Sequence, residues 1–175
     1  NNGVLPGSGS VSFYLRLFNA KHPFTLPRNY DMIVSTISRA WNEGTGLDME
    51  NYSDSGSSNW TAASSNSAGV TAWTTEGGDY HAEPRFTASF VDGTEDIELD
   101  VSDAVERWIA GDRVNYGFGV RMENETAFSS SYTKKFFARE SEFFFSRPVI
   151  EARWDSATRD DRGNFMFSSS LATSE

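Results

Sequence analysis

Three carboxylates, Asp48, Glu50 and Asp54, fall close together in the stretch WNEGTGLDMENYSDSGSSNW at residues 41–60, where Gly, Ser and Asn fill most other places. Hard cations take carboxylate and carbonyl oxygens, and a Gly-rich loop can converge such oxygens on one point, so calcium is the cofactor this stretch suits. Its spacing differs from the D-x-[DN]-x-[DN]-G calcium loop. The alternative is a hydrogen-bonded loop in which Asp and Asn satisfy turns. A second set is aromatic. Trp60, Trp73 and Tyr80 stand singly among polar residues, and exposed rings of this kind cover the apolar face of a sugar. Tryptophan in a polar loop is more often an anchor buried against the body.

Hydrolytic chemistry has less to work with. A Ser-His-Asp arrangement needs a histidine base, and His22 and His81 are the two histidines present, neither beside a G-x-S-x-G elbow. Glycosidase chemistry needs two carboxylates facing each other across a sugar. With 25 Asp and Glu residues a pair somewhere is guaranteed, and solvated surface charge explains them. No catalytic residue is assigned. Asn51-Tyr-Ser53, Asn59-Trp-Thr61 and Asn124-Glu-Thr126 fit the N-glycosylation pattern, which has meaning in a secretory pathway.

The elements that must hold these residues read mostly as strands. Aromatic residues make up 14% of the chain, and large flat side chains pack well on a pleated surface. Val11, Phe13, Leu15 and Leu17 alternate with polar or outward neighbours, and MIVSTI at residues 32–37 is apolar enough for a central strand ending near Trp41. Phe86, Ala88 and Phe90 alternate before an Asp92-Gly93 turn, and Ile97, Leu99 and Val101 before a short helix. For that helix the spacing predicts Asp103 as cap, Glu106 as its capping-box partner, Val105, Trp108 and Ile109 as the buried face, and Gly111 as the stop. Phe118, Val120 and Met122 form another strand face, with Gly117 and Gly119 leaving room for a close neighbour. Tyr132–Ala138 and the final RPVIEARW complete the set, the latter with Ile150, Ala152 and Trp154 inward.

About seven or eight strands with one helix predict an all-β fold: a two-sheet β-sandwich, or jelly roll, with one short helix and a long polar loop insertion from Asn42 to Pro84. Residues 1–10 read as a linker, 11–156 as the domain, and 157–175, containing RDDRGNF, as a linker toward a further module. The formal net charge of -10 disfavours nucleic acid and anionic membrane surfaces as partners. With no cysteine, disulfides and thiolate metal sites are excluded. No run approaches 18 apolar residues, so no membrane insertion is expected. The first residue is Asn and the opening NNGVLPGSGS has no signal-peptide pattern, so a module of a longer protein is expected.

The succession RAWNEGTGLD, WTTEGGDY, IELDVSDAVERWIAG, NYGFGVRM and YTKKFFARESEFFFSRPVIEARW resembles the DNRLRE-type jelly-roll domain of long extracellular and bacteriophage proteins. The later text, through RDDRGNFMFSSSL, is similar to virion structural proteins of marine tailed phages, including cyanophages. The resemblance implies a non-enzymatic virion module, in head decoration, tail or fibre, with other virion proteins and further copies of itself as partners. It also links related domains to carbohydrate, here a host-surface glycan. Trp41, Glu43, Gly44, Asp100, Trp108, Asn115, Tyr116 and Gly117 fall on its recurrent positions, which implies fold-defining roles. The departure from the family's usual opening leaves the subfamily undefined.

Overall fold

The alternating segment at the start of the chain forms strand β1 (Val11–Leu17), and the MIVSTI run forms β2 (Tyr30–Ile37). The structure, a computed structural model, describes residues 9–43, 56–66, 69–123 and 132–154. Then come β3 (Ala62–Asn66), β4 (Gly69–Ala72), β5 (Tyr80–Phe90), β6 (Ile97–Asp100), helix α1 (Ser102–Ile109), β7 (Phe118–Met122) and β8 (Val149–Trp154). Two three-stranded antiparallel sheets, β6-β1-β8 and β5-β2-β7, and a β3-β4 hairpin make the fold all-β with one α-helix among the described residues.

The inner faces of the two large sheets share one core. Leu15 of β1 meets Val34 of β2 together with Val101 and Val105, while Tyr30, Met32, Phe90, Ile97 and Met122 form the adjoining cluster. Leu17, Leu99 and Val120 touch both clusters and join them. Each large side chain so buried contributes roughly 1.5 to 3 kcal/mol, which lets a chain without disulfides hold together.

Helix α1 departs from the predicted cap. Asp103 does not cap it; its carboxylate pairs with Arg107 one turn on at 2.9 Å, and Glu106 accepts a hydrogen bond from Gly9 N at 3.1 Å. The start is fixed instead by Asp100, whose Oδ1 accepts from Ser102 N and Oγ at 3.0 and 2.6 Å, while Ser102 Oγ accepts from Phe13 N. That chain ties the helix to β1, so a tertiary contact displaces the local capping box. The buried stripe is Val101, Ala104 and Val105 with Trp108 half-buried against them, leaving Ile109 67% exposed. The expected stop holds: Gly111 has φ +79°, and the Gly111 and Asp112 amides donate back to the Trp108 and Arg107 carbonyls.

The described part of the polar insertion is more ordered than its composition predicts. Its second half contains the β3-β4 hairpin, and β5 begins at Tyr80 rather than near Phe86. Pro84 lies within β5 where the pairing shifts from Ser35 opposite Arg85 to Ile37 opposite Tyr80, so a residue lacking an N–H sits in an irregularity. The candidate metal residues Asp48, Glu50 and Asp54 lie outside the described residues, as do the sequon residues Asn51, Ser53 and Asn124 and most of both expected linkers.

Just beyond the end of β1, Asn19 bridges Phe136, while Arg16 within β1 pairs with Val149, so a step of three positions in the early chain faces a step of thirteen in the later chain along one edge. Tyr132–Ala138 therefore contributes a single bridge, and the surplus leaves as an excursion. In it Phe143, Phe144 and Phe145 are 56%, 67% and 91% exposed, organised by buried Ser141, whose Oγ accepts from Phe143 N and whose carbonyl accepts from Arg147 Nε. Strand β8 has the expected parity, since Ala152 and Ile150 pair with Phe13 and Leu15. Its apolar face is not buried, however: Ile150 and Trp154 remain 44% and 49% exposed. Glu151 and Arg153 are the more covered residues, joined with Arg16 and Glu98 in a network of ion pairs at 2.8 to 3.3 Å.

At the other end of the fold, Lys134 acts as a fastener. Its ammonium donates to Asn19 Oδ1 and to the Gly93 and Glu95 carbonyls, over the rings of Phe90 and Phe136. Gly93, at φ +84°, presses against this region, and a Cβ there would lie 2.1 Å from the Pro27 carbonyl oxygen. Gly93→Ala is therefore expected to cost about 2 kcal/mol or more, because left-handed backbone strain of roughly 1 to 2 kcal/mol adds to a backbone collision. Urea denaturation monitored by tryptophan fluorescence measures it.

Candidate ligand-binding groove

Period-2 geometry gives the β5-β2-β7 sheet a second face, opposite the core. While Phe86, Val34, Phe118 and Val120 point inward, Arg85, Ser35, Gly119 and Arg121 share the outer side. Ser35 stands opposite both Arg85 and Gly119, and Arg121 stands opposite Ile33. Over this face lies a hollow of about 810 Å³ whose lining includes Ser35, Arg39, Asp79, His81, Arg85 and Arg121. A second hollow of about 300 Å³ shares Gly78, Tyr80 and Arg121 with it and is lined by Trp41, Trp60 and Trp73. Together they form one groove with an aromatic end and a basic end.

The three sequence-predicted aromatics, Trp60, Trp73 and Tyr80, thus come together, in different roles. Trp73 is an anchor, its indole N–H donating to Asn59 O at 2.8 Å. Tyr80 is another: its hydroxyl donates to Gly77 O at 2.8 Å, and its ring fills the space that a Cβ at Gly119 would enter, 2.2 Å from Cε1. The close neighbour expected at Gly119 is this ring. Trp60 is the exposed one, 55% accessible, its ring lying on Gly77 so closely that a Cβ there would meet it at 2.9 Å. Among the residues of the resembled motif, Trp41 donates from Nε1 to Tyr116 O, and Asn115 Oδ1 accepts from Gly117 N, whose carbonyl accepts from Ile37 N. These bonds fix the end of β2 beneath the groove.

Asp79 builds the turn that carries the aromatic end. Its two carboxylate oxygens accept from Thr74 N and Thr75 N at 2.9 and 3.0 Å, and Arg39 Nη1 lies 3.3 Å away. These bonds, that from the Thr74 amide first, hold its pKa down at about 2 against a partial opposing effect of burial. Arg39 also donates to Ala72 O, joining the turn to β4. His81 is kept toward its neutral form by burial and then by nearby Arg113. His22 lies apart, accepting from Phe24 N through Nδ1.

Arg121 is the least satisfied group of the groove. Its guanidinium lies 5.5 Å from the Tyr80 ring centroid, and its Nε is buried with no hydrogen-bond partner among the described residues. Arg85, by contrast, is paired with Glu123 at 2.8 Å. Arg39, Arg85 and Arg121 were not singled out from the sequence. The available signal was parity: Arg85 and Arg121 occupy outward positions of strands whose inward positions include Phe86, Phe118, Val120 and Met122.

No protein-family model, curated protein or solved structure matches this chain. The groove is therefore interpreted from its own chemistry.

The linkage at Asp79 has a definite sign. A carboxylate lowered from 3.8 to about 2 in the folded protein contributes stability that is present above about pH 4 and is lost as the pH falls toward 2. Asp79→Ala is expected to lower the melting temperature at pH 7 and to flatten its fall between pH 4 and 2. Thermal melts across that range, compared with the unmodified chain, measure both effects.

Proposed function

We propose that this chain is a non-enzymatic carbohydrate-binding module of jelly-roll type, which attaches a larger extracellular assembly to a glycan surface. The observation that carries the reading is the convergence of exposed Trp60 with anchored Trp73 and Tyr80 on one groove. A half-exposed indole in close contact with a glycine offers an apolar surface to a sugar ring, and tightly bonded neighbours keep it in place before the ligand arrives. Asp79 is the one carboxylate among the described lining residues, and its hydrogen bonds commit it to the turn. The paired carboxylates of glycosidase chemistry are not assembled there.

Arg121 refines the ligand class. The Arg121 guanidinium lines both hollows, and a cation so placed favours a sugar carrying carboxylate or sulfate, because charge-assisted hydrogen bonds to arginine are the stronger kind. The favoured ligand is an acidic oligosaccharide, with apolar ring faces on Trp60 and its anion toward Arg121.

The second reading, a structural virion module whose strands give rigidity and whose surfaces mediate assembly, is favoured by the exposed apolar side of β8 and by Phe143–Phe145. The resemblance to phage virion proteins accommodates both, since an attachment domain is itself part of a particle. Calcium enters through Asp48, Glu50 and Asp54, and a chelator arm tests it.

A glycan array probed with the full chain, with and without chelator, separates the readings: binding supports the module, and uniform absence of binding overturns it. Trp60→Ala is expected to weaken binding about tenfold, the scale of an aromatic contact of roughly 1.5 kcal/mol, while leaving the melting temperature within a few degrees. Trp73→Ala should lower the melting temperature, because it removes the bond to Asn59 O. Arg121→Gln is expected to abolish the preference for acidic over neutral glycans, measured by isothermal titration calorimetry with matched pairs.

A further inference from the structure

The geometry points to β8 as a self-pairing edge, through which two copies of this chain join their β6-β1-β8 sheets about a two-fold axis passing beside Ala152. Among the described residues β8 has a strand neighbour on its β1 side alone. An edge strand with an exposed apolar face is a template for another strand unless charge, proline or a covering element blocks it.

The direction of each backbone group follows from β1. Phe13 N donates to Ser102 Oγ and Phe13 O accepts from Val101 N, so the Phe13 peptide groups point away from β8. The alternate residues Ser12, Tyr14 and Arg16 then make the hydrogen-bonded pairs with Arg153, Glu151 and Val149. Ile150, Ala152 and Trp154 consequently aim their N–H and C=O groups at the free edge. Their side chains are the exposed apolar ones.

Side-chain chemistry selects the register. An antiparallel pair centred on Ala152 sets Ile150 opposite Trp154 of the second copy, twice, and Glu151 opposite Arg153, also twice. The first pairing joins apolar groups, and the second joins opposite charges at non-hydrogen-bonded positions, where side chains are closest. Centring on Glu151 or Arg153 instead places like charges directly opposite. Centring on Ile150 brings Pro148, which has no N–H to donate, opposite Ala152. The favoured register forms three hydrogen-bonded residue pairs and turns two three-stranded sheets into one of six strands.

The chain has no cysteine, which makes the register directly testable. Ala152→Cys in the full chain is expected to form a disulfide-linked dimer under mild oxidation, because residues in a hydrogen-bonded pair lie about 5.5 Å apart at Cα, within disulfide reach. Ile150→Cys alone should cross-link far less, whereas an equal mixture of Ile150→Cys and Trp154→Cys should cross-link as heterodimers. Sedimentation equilibrium of the unmodified chain should give about twice the mass of 19.5 kDa. Ala152→Pro should return it to a monomer with an unchanged circular dichroism spectrum, since the lost N–H points outward. If that variant unfolds, Ala152→Lys replaces it, with monomer expected. A monomeric unmodified chain, or cross-linking independent of position, would overturn the proposal.

Discussion

Everything in this protein depends on one strand being buried on both sides. Ile33 and Val34 are neighbours on β2, face opposite ways and are both wholly inaccessible. Val34 joins the core between the sheets, and Ile33 lies beneath the outer face where Arg121 is its partner across the ladder. A strand in that position must be nearly continuous in apolar character, which MIVSTI supplies. Its polar members mark what it supports: Ser35 is buried as part of the groove lining, and the Thr36 hydroxyl is buried without a described partner. The core and the groove are two sides of the same element.

This arrangement explains which parts of the protein could be read from residue order. β1, β6 and β7 carry period-2 patterns and β2 a near-continuous apolar run, each strong enough to locate its strand, and the glycines at positions 111 and 119 have the roles their context implies. The β3-β4 hairpin was hidden because AASSN and GVTA offer small and polar residues where a strand signal needs branched or aromatic ones. The beginning of β5 was hidden behind Pro84. The helix cap was not legible because the local motif competes with a bond to β1, and a helix about 12 Å long is too short to prevail over a tertiary tie. For the groove, the aromatics were legible as isolated rings in polar text, whereas the three arginines lie far apart in sequence and become neighbours through strand pairing.

Charge is arranged with similar economy. On the outside of the other sheet, Arg16, Glu98, Glu151 and Arg153 satisfy one another. Exposed pairs of this kind add little stability, and their effect is to orient long side chains across the strands. At the far end of the fold, Lys134 gathers carbonyl oxygens beneath two aromatic rings, so its charge organises a loop junction. In the groove, Arg39 is occupied with Asp79 and Arg85 with Glu123, which leaves Arg121 to define the local chemistry.

The phenylalanine excursion leaves opposite Asn19, just past the end of β1, and rejoins opposite Arg16 on the same edge. Three residues of a strand span about 10 Å, so the points of departure and return are held at a fixed, short separation by a ladder that the excursion itself does not build. Such a segment can lengthen, shorten or be replaced wholesale with little thermodynamic penalty, because closing a flexible loop of twice the length costs only about 0.6 kcal/mol more. The fold thus contains a natural grafting port: a place where evolution, or a protein engineer, can exchange a recognition peptide without reopening the core.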